Sequence, residues 1–274
     1  MKTLTFIFLL LAGIFNCFAQ SDTIYTNTER IACTVKEITA DAVKFAYPNE
    51  ELVNTIYKNT IQKIIFKSGR VQTFAEATSY KTVHGAPDHE NVSFTFVQSE
   101  VNGLFKLGDV SAKAKGTTVY SSMEKVKERA YKKLKIEAAM MGANIVYIHQ
   151  NITEGNQYGG QYQAGKSTET NVAGVAYSNK LPDYEGFNSL IGTRTDLQSV
   201  QTFKLSQRDA DMKDWNEVLP VKIMKVYNES GLIMVNAKIS GVKEDTFRVI
   251  YFTSEEFTLM YKDGERIYNY KVRL

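Results

Sequence analysis

The chain has 274 residues, and its 33 Lys and Arg against 30 Asp and Glu leave a formal net charge of +3. So slight a positive balance argues against a dedicated nucleic-acid binder, and 2 cysteines are too few for a disulfide scaffold. With 16 Tyr, 15 Phe and only 4 Pro, the composition suits β-sheet more than disorder.

Lys2 precedes an apolar run from Phe6 to Phe15 that closes on Cys17-Phe18-Ala19. These are the three parts of a secretory signal peptide, so residues 1–19 are expected to be removed and Gln20 to lead the product. The product is then exported and is periplasmic, outer-membrane-associated or secreted. Lipidation at Cys17 is disfavoured, because Asn16 stands where a small residue is wanted and Phe15 is bulky. No later apolar run is long enough to span a bilayer as a helix.

Residues 20–80 read as a small β module. Ile31, Cys33 and Val35 alternate with polar neighbours, Val43, Phe45 and Tyr47 repeat the pattern, and Ser68-Gly69 marks a hairpin turn before Val71 and Phe74. A twisted sheet or partly closed barrel is expected, and the stretch resembles an N-terminal β module of exported Bacteroidetes proteins. Alternation turns Cys33 inward, as a buried structural thiol rather than a nucleophile.

Residues 81–91 read as a linker, polar and interrupted by Gly85 and Pro87. His84, Asp88 and His89 lie within six residues and are the candidate metal ligands of the chain, with Glu90 beside them and His149 as a distant donor. A flexible linker offers no preorganised geometry for an ion, so these candidates define no site by themselves, and no cofactor is expected.

The central unit, residues 92–180, is organised around one helix. Ser121 and Glu124 have capping-box spacing, which places the helix start near Ser122. Val126, Ala130, Leu134, Ala138 and Met141 form one apolar stripe, while Lys127, Arg129, Lys132, Lys133 and Lys135 are expected to face water. Gly142 ends the helix, and Ile145 to Ile148 begin a buried strand. Further strands are expected over Leu104 to Lys113 and Asn171 to Tyr177.

The run AYKKLKIEAAMMGANIVYI, with these strands, resembles the signature of YbjQ-like domains and is similar in fold to the stress-sensing lipoprotein of the Rcs phosphorelay. The resemblance covers residues 92–180 and implies a strand, helix, strand, strand order. Neither the disulfide cysteines of the Rcs relative nor a cysteine or histidine cluster for a heavy metal occurs in this helix.

Gly160, Gly165, Lys166 and Ser167 match the spacing of a phosphate-binding loop. Such a loop must open into a helix, whereas Thr168 to Tyr177 read as strand, so the match is taken as chance and the segment as a hairpin tip bearing Tyr158 and Tyr162.

Residues 181–216 read as a second linker, with weak helical potential over Gln207 to Trp215 and Trp215 as its anchor. Residues 217–274 alternate as a C-terminal all-β module, with a hairpin turn at Asp263-Gly264, and KDGERIYNY loosely echoes KSGRVQTF of the first module. The expected fold class is therefore α+β and β-rich: a small N-terminal β module, a central βαββ domain with one long amphipathic helix, and a C-terminal all-β module.

No nucleophile, base and orienting group appear together in the sequence. The expected function is non-catalytic binding or assembly in the envelope or outside the cell, with a homo-oligomer or an envelope protein as partner and no nucleic acid. The alternative is an envelope hydrolase using Asp109, Glu154 or Glu169; metal binding at His84, Asp88 and His89 is the third option.

Overall fold

The structure, a computed structural model, describes residues 21–26, 29–40, 42–74, 80–162, 164–206 and 211–274. The expected signal peptide, Cys17, and the Gln207 end of the weakly helical stretch lie outside the described residues. The protein is α+β and β-rich, and among the described residues no helix is long and apolar enough to cross a membrane.

The N-terminal sheet comprises β1 (Asp22–Thr26), β2 (Arg30–Ile38), β3 (Ala42–Ala46), β4 (Asn54–Tyr57), β5 (Ile61–Ile65) and β6 (Val71–Thr73). The first four form a meander, and β5 returns to pair with β1, giving the order β4-β3-β2-β1-β5-β6. Ile24, Ile31, Cys33, Val43, Phe45, Ile61 and Ile64 fill its core, as the alternation predicts. Asp22 is buried in the same sheet, where its carboxylate accepts the Val35 and Lys67 N–H groups at 2.8 Å each. Gly69 turns the β5–β6 hairpin in the left-handed region that glycine tolerates best.

The central sheet has the order β7-β9-β10-β8, from β7 (Ser93–Thr95), β8 (Phe105–Lys115), β9 (Ile145–Glu154) and β10 (Glu169–Ser178), with helix α1 (Met123–Met140) between β8 and β9. Strand, helix, strand, strand follow in the expected order, with the short β7 added parallel to β9. Ser122 is the N-cap and accepts the Lys125 N–H at 3.4 Å, while the Ser121 hydroxyl accepts the Thr118 N–H. Val126, Ala130, Leu134, Ala138 and Met141 are all buried, and Gly142 takes the left-handed turn that ends the helix.

The C-terminal unit is a closed barrel. It comprises β11 (Asp196–Ser206), β12 (Lys213–Trp215), β13 (Leu219–Glu229), β14 (Leu232–Ile239), β15 (Thr246–Phe252), β16 (Glu256–Asp263) and β17 (Arg266–Arg273). β11 pairs along one side with β17 and along the other with β13 and then β12, so the ring closes through β11. Inward residues such as Ile233, Val235, Phe247, Leu259 and Val272 fill the interior. Helix α2 (Tyr184–Ile191) stoppers one end with Phe187, whose ring meets Phe252 and Phe257 edge-on at 5.3 Å.

Two linker readings are corrected by these elements. Residues 181–216 contain α2, β11 and β12, so the barrel begins well before residue 217. Residues 81–91 contain a 3-10 turn, Ala86–Asn91, and Val83 and Ala86 belong to the core around α1. The water-facing assignment of Lys133 is corrected too. It is 5% exposed, because the barrel covers a second side of α1. Phe203, Leu205, Ile250, Met260 and Ile267 point out from the barrel into the core that α1 shares with its own sheet.

Candidate binding surface

Buried charged and polar groups gather where the C-terminal end of α1 meets the outside of the barrel. A helix end leaves carbonyls without intrahelical donors and carries partial negative charge. Arg248 of β15 donates to Met141 O at 2.5 Å and to Leu107 O at 3.4 Å, and Asn269 of β17 donates to Met140 O at 2.9 Å. Burial lowers the Arg248 pKa to about 10, which leaves it cationic at neutral pH. Among the described residues no carboxylate pairs with it, so its counter-charge is the helix terminus.

One turn earlier, buried Glu137 accepts the Ser111 N–H at 3.0 Å and the Lys262 ammonium at 2.9 Å. The cleft around this pair, lined by Lys133, Glu137, Lys262 and Glu265, holds about 10 Å³, room for roughly one water. Charge is therefore concentrated here, yet it is committed to joining the two units and leaves no space for a substrate.

The metal candidates are likewise committed to local contacts. Asp88 accepts the His84 backbone N–H at 2.9 Å and faces its Nδ1 at 3.2 Å, while the His84 ring stacks on Tyr251 at 3.9 Å. His89 Nδ1 lies 3.2 Å from Ala86 O, and its Nε2 lies 3.4 Å from Glu90. His149 is exposed on β9. Among the described residues, no three His, Cys, Asp or Glu side chains converge as metal ligands.

The carboxylates named for a hydrolase are partly brought together. Glu154 and Glu169 are direct cross-strand partners, whereas Asp109 lies on β8 beside Lys106 at 3.5 Å. A hydrogen bond from Lys113, at 2.6 Å, and another from Asn171 hold the Glu169 carboxyl below the usual range. The glycine-rich segment leads into β10 rather than a helix, so the phosphate-loop spacing lacks its helix N-terminus.

What the fold displays is aromatic. Tyr120, Tyr158 and Tyr162 are 81%, 70% and 95% exposed, and the first two rings stand 5.9 Å apart. The loop between β9 and β10 carries two of them, on a base fastened to the start of α1. Asn156 donates to Ser121 O at 2.9 Å and accepts the Thr168 N–H at 2.7 Å, Gln157 and Lys166 exchange backbone hydrogen bonds at 2.9 Å, and Gly116 N–H reaches Thr168 O. Any side chain at Gly165 would collide with Val119 and the Gln157 backbone, so glycine there permits the close approach. The hairpin tip is legible in the sequence. Tyr120 is not, because it joins the cluster only through this fastening.

Comparison with known proteins finds no matching family, no similar curated protein and no solved structure of similar fold.

Proposed function

We propose that this chain is an exported, non-catalytic protein that acts by binding or assembly at the cell envelope or outside the cell. The observation that carries this reading is the hairpin fastened to the start of α1, an arrangement that holds two tyrosines of the hairpin and Tyr120 in water. Burying aromatic rings is strongly favourable, and tyrosine supplies large, stiff, amphipathic contact area at low entropic cost, so it is over-represented at binding surfaces. The surrounding Asn156, Gln157 and Gln161 add uncharged hydrogen-bonding groups. The resemblance of residues 92–180 to YbjQ-like envelope domains and the N-terminal leader pattern support the same setting.

A hydrolase is the second reading, favoured by the Glu154–Glu169 register. It is less well supported, because Lys113, at 2.6 Å, holds Glu169 as an anion on β10, a strand paired on both sides.

The test is a photo-crosslinking residue placed at Tyr162 in cells that export the protein. A discrete crosslinked partner is expected, and exchanging Tyr120 and Tyr158 for Ser should weaken its capture by about tenfold or more while leaving stability within about 0.5 kcal/mol. No adduct at this position, together with unchanged behaviour of the double variant, would remove the tyrosine surface as the carrier of function.

A further inference from the structure

The chain treats the edges of its sheets unequally. An unpaired strand edge is a template for another chain, and folded proteins blunt it with charges, short strands or a cover. The long edge strand β8 is blunted along its length: Arg129 donates to Lys115 O at 3.0 Å, Glu137 accepts the Ser111 N–H, and Arg248 reaches Leu107 O. β12 places Lys213 and Asp214 on the barrel's extra strand. β4, at the edge of the N-terminal sheet, pairs only with β3; it is short, at four residues, and the Gly103 backbone packs against Tyr57, but no charge lies on the strand itself. The run Leu52-Val53-Asn54-Thr55-Ile56-Tyr57 contains no charge and no proline, and Leu52 is 68% exposed.

Side-chain alternation defines what the edge offers. Asn54 and Ile56 are half-buried while Thr55 and Tyr57 are exposed, so Leu52, two residues ahead of the strand, falls in the core-facing series, as does half-buried Lys58, which opens a 3-10 turn straight after it. Charges bracket the run, with Glu50 and Glu51 before it and Lys58 after it. The Glu50 and Glu51 carboxylates meet no cation among the described residues. The Lys58 ammonium gives one of its three donors to Ala40 O at 3.0 Å and stands 5.4 Å from the Phe74 ring centre, which leaves a donor for a further partner.

We propose that β4 is a self-assembly edge, on which a second copy of this chain pairs antiparallel about a two-fold axis through Asn54. A two-fold axis across an antiparallel pair requires one residue to face its own copy, which restricts the registers. With Asn54 on the axis, Val53 faces the partner's Thr55, Leu52 faces the partner's Ile56, and Glu50 faces the partner's Lys58. Apolar residues then meet apolar ones on the core side, and opposite charges meet at both ends. Shifting the axis to Thr55 would set Leu52 against the partner's Lys58 and lose both matches. The result is a continuous sheet through two N-terminal modules. The proposal deepens the assembly half of the function proposed above, and rests on it.

A strand pair of this length covers less than the ~1,200 Å² of a stable specific interface, so a dimer dissociating in the micromolar range is expected. Sedimentation velocity of the chain from Gln20 onward, across that range, should show monomer passing to dimer. Leu52→Lys should abolish the dimer. Glu50→Lys and Lys58→Glu should each weaken it roughly fivefold, since two like-charged contacts arise by symmetry, and the double exchange should restore it. Asn54→Cys should give an oxidised, covalently linked dimer in native buffer, and Thr55→Cys, off the axis, should not. A monomer at every concentration, or a dimer indifferent to these exchanges, overturns the proposal. Crosslinking at Tyr162 reports separately on the tyrosine surface, so loss of the β4 dimer alone leaves the binding reading in place.

Discussion

Cys33 and Asp22 illustrate how a single residue's surroundings fix its chemistry. Burial first, and then the neighbouring Asp22 carboxylate, push the Cys33 thiol up to about 11. The folded chain therefore keeps the thiol protonated where an unfolded chain releases the proton near the ordinary value of about 8.5. A raised acid pKa stabilises the fold fully below that unfolded value, and the contribution is lost as pH rises towards 11. Cys33 should resist a thiol reagent in mildly alkaline native buffer and react stoichiometrically once denaturant is added. Rapid native labelling would show that the β1–β2 pair opens. That inertness was legible in the sequence, because the alternation of Ile31, Cys33 and Val35 already turns the sulfur inward.

At the scale of elements, α1 was half legible. One stripe, from Val126 to Met141, repeats at helical spacing and was readable without a structure. Ile136, Ala139 and Met140 are equally buried, but Lys133 and Glu137 interrupt that second side and disguise it as a solvated face. Only the barrel's outward residues reveal why charges sit there. β11 was hidden for a related reason. Its buried positions include Ser199 and Thr202, and a bulge between Ser199 and Gln201 breaks its alternation, so a strand that closes a barrel resembles a polar linker. The tyrosine cluster was partly legible for yet another reason, since Tyr158 and Tyr162 announce themselves by sequence proximity and Tyr120 does not. Small residues on α1 set its distance from the sheet. Ala130 is fully buried, and Ala130→Leu should destabilise the protein by about 1–3 kcal/mol in denaturant titration without changing the slope.

The whole molecule divides by its cores rather than by its polar stretches. The N-terminal sheet has a core of its own, whereas residues of the central unit and the barrel contribute to one shared cluster. Calorimetry should therefore resolve two transitions, a smaller one for the N-terminal sheet and a larger one for everything from β7 onward. Arg248→Ala strips donors from Met141 O and Leu107 O inside the shared core, and should lower the stability of the larger transition alone by about 2–4 kcal/mol. A single transition, or an equal shift in both, would show that the three sheets unfold together. Residues 92–180 produced alone would expose the side of α1 that the barrel covers, so they are a poor stand-in for the intact chain.

The closure of the barrel through β11 and β17 also sets a timetable. β11 is synthesised some sixty residues before β17, about three to twelve seconds at ordinary elongation rates, and must wait for it with one side unpaired. The carbonyls at the end of α1 wait as well, since Asn269 lies on that last strand. A chain emerging N-terminus first thus has its first sheet ready to fold while its middle third still lacks its cover. Completion depends on the eight-residue strand Arg266–Arg273, whose arrival closes the barrel and brings Asn269 to the end of α1.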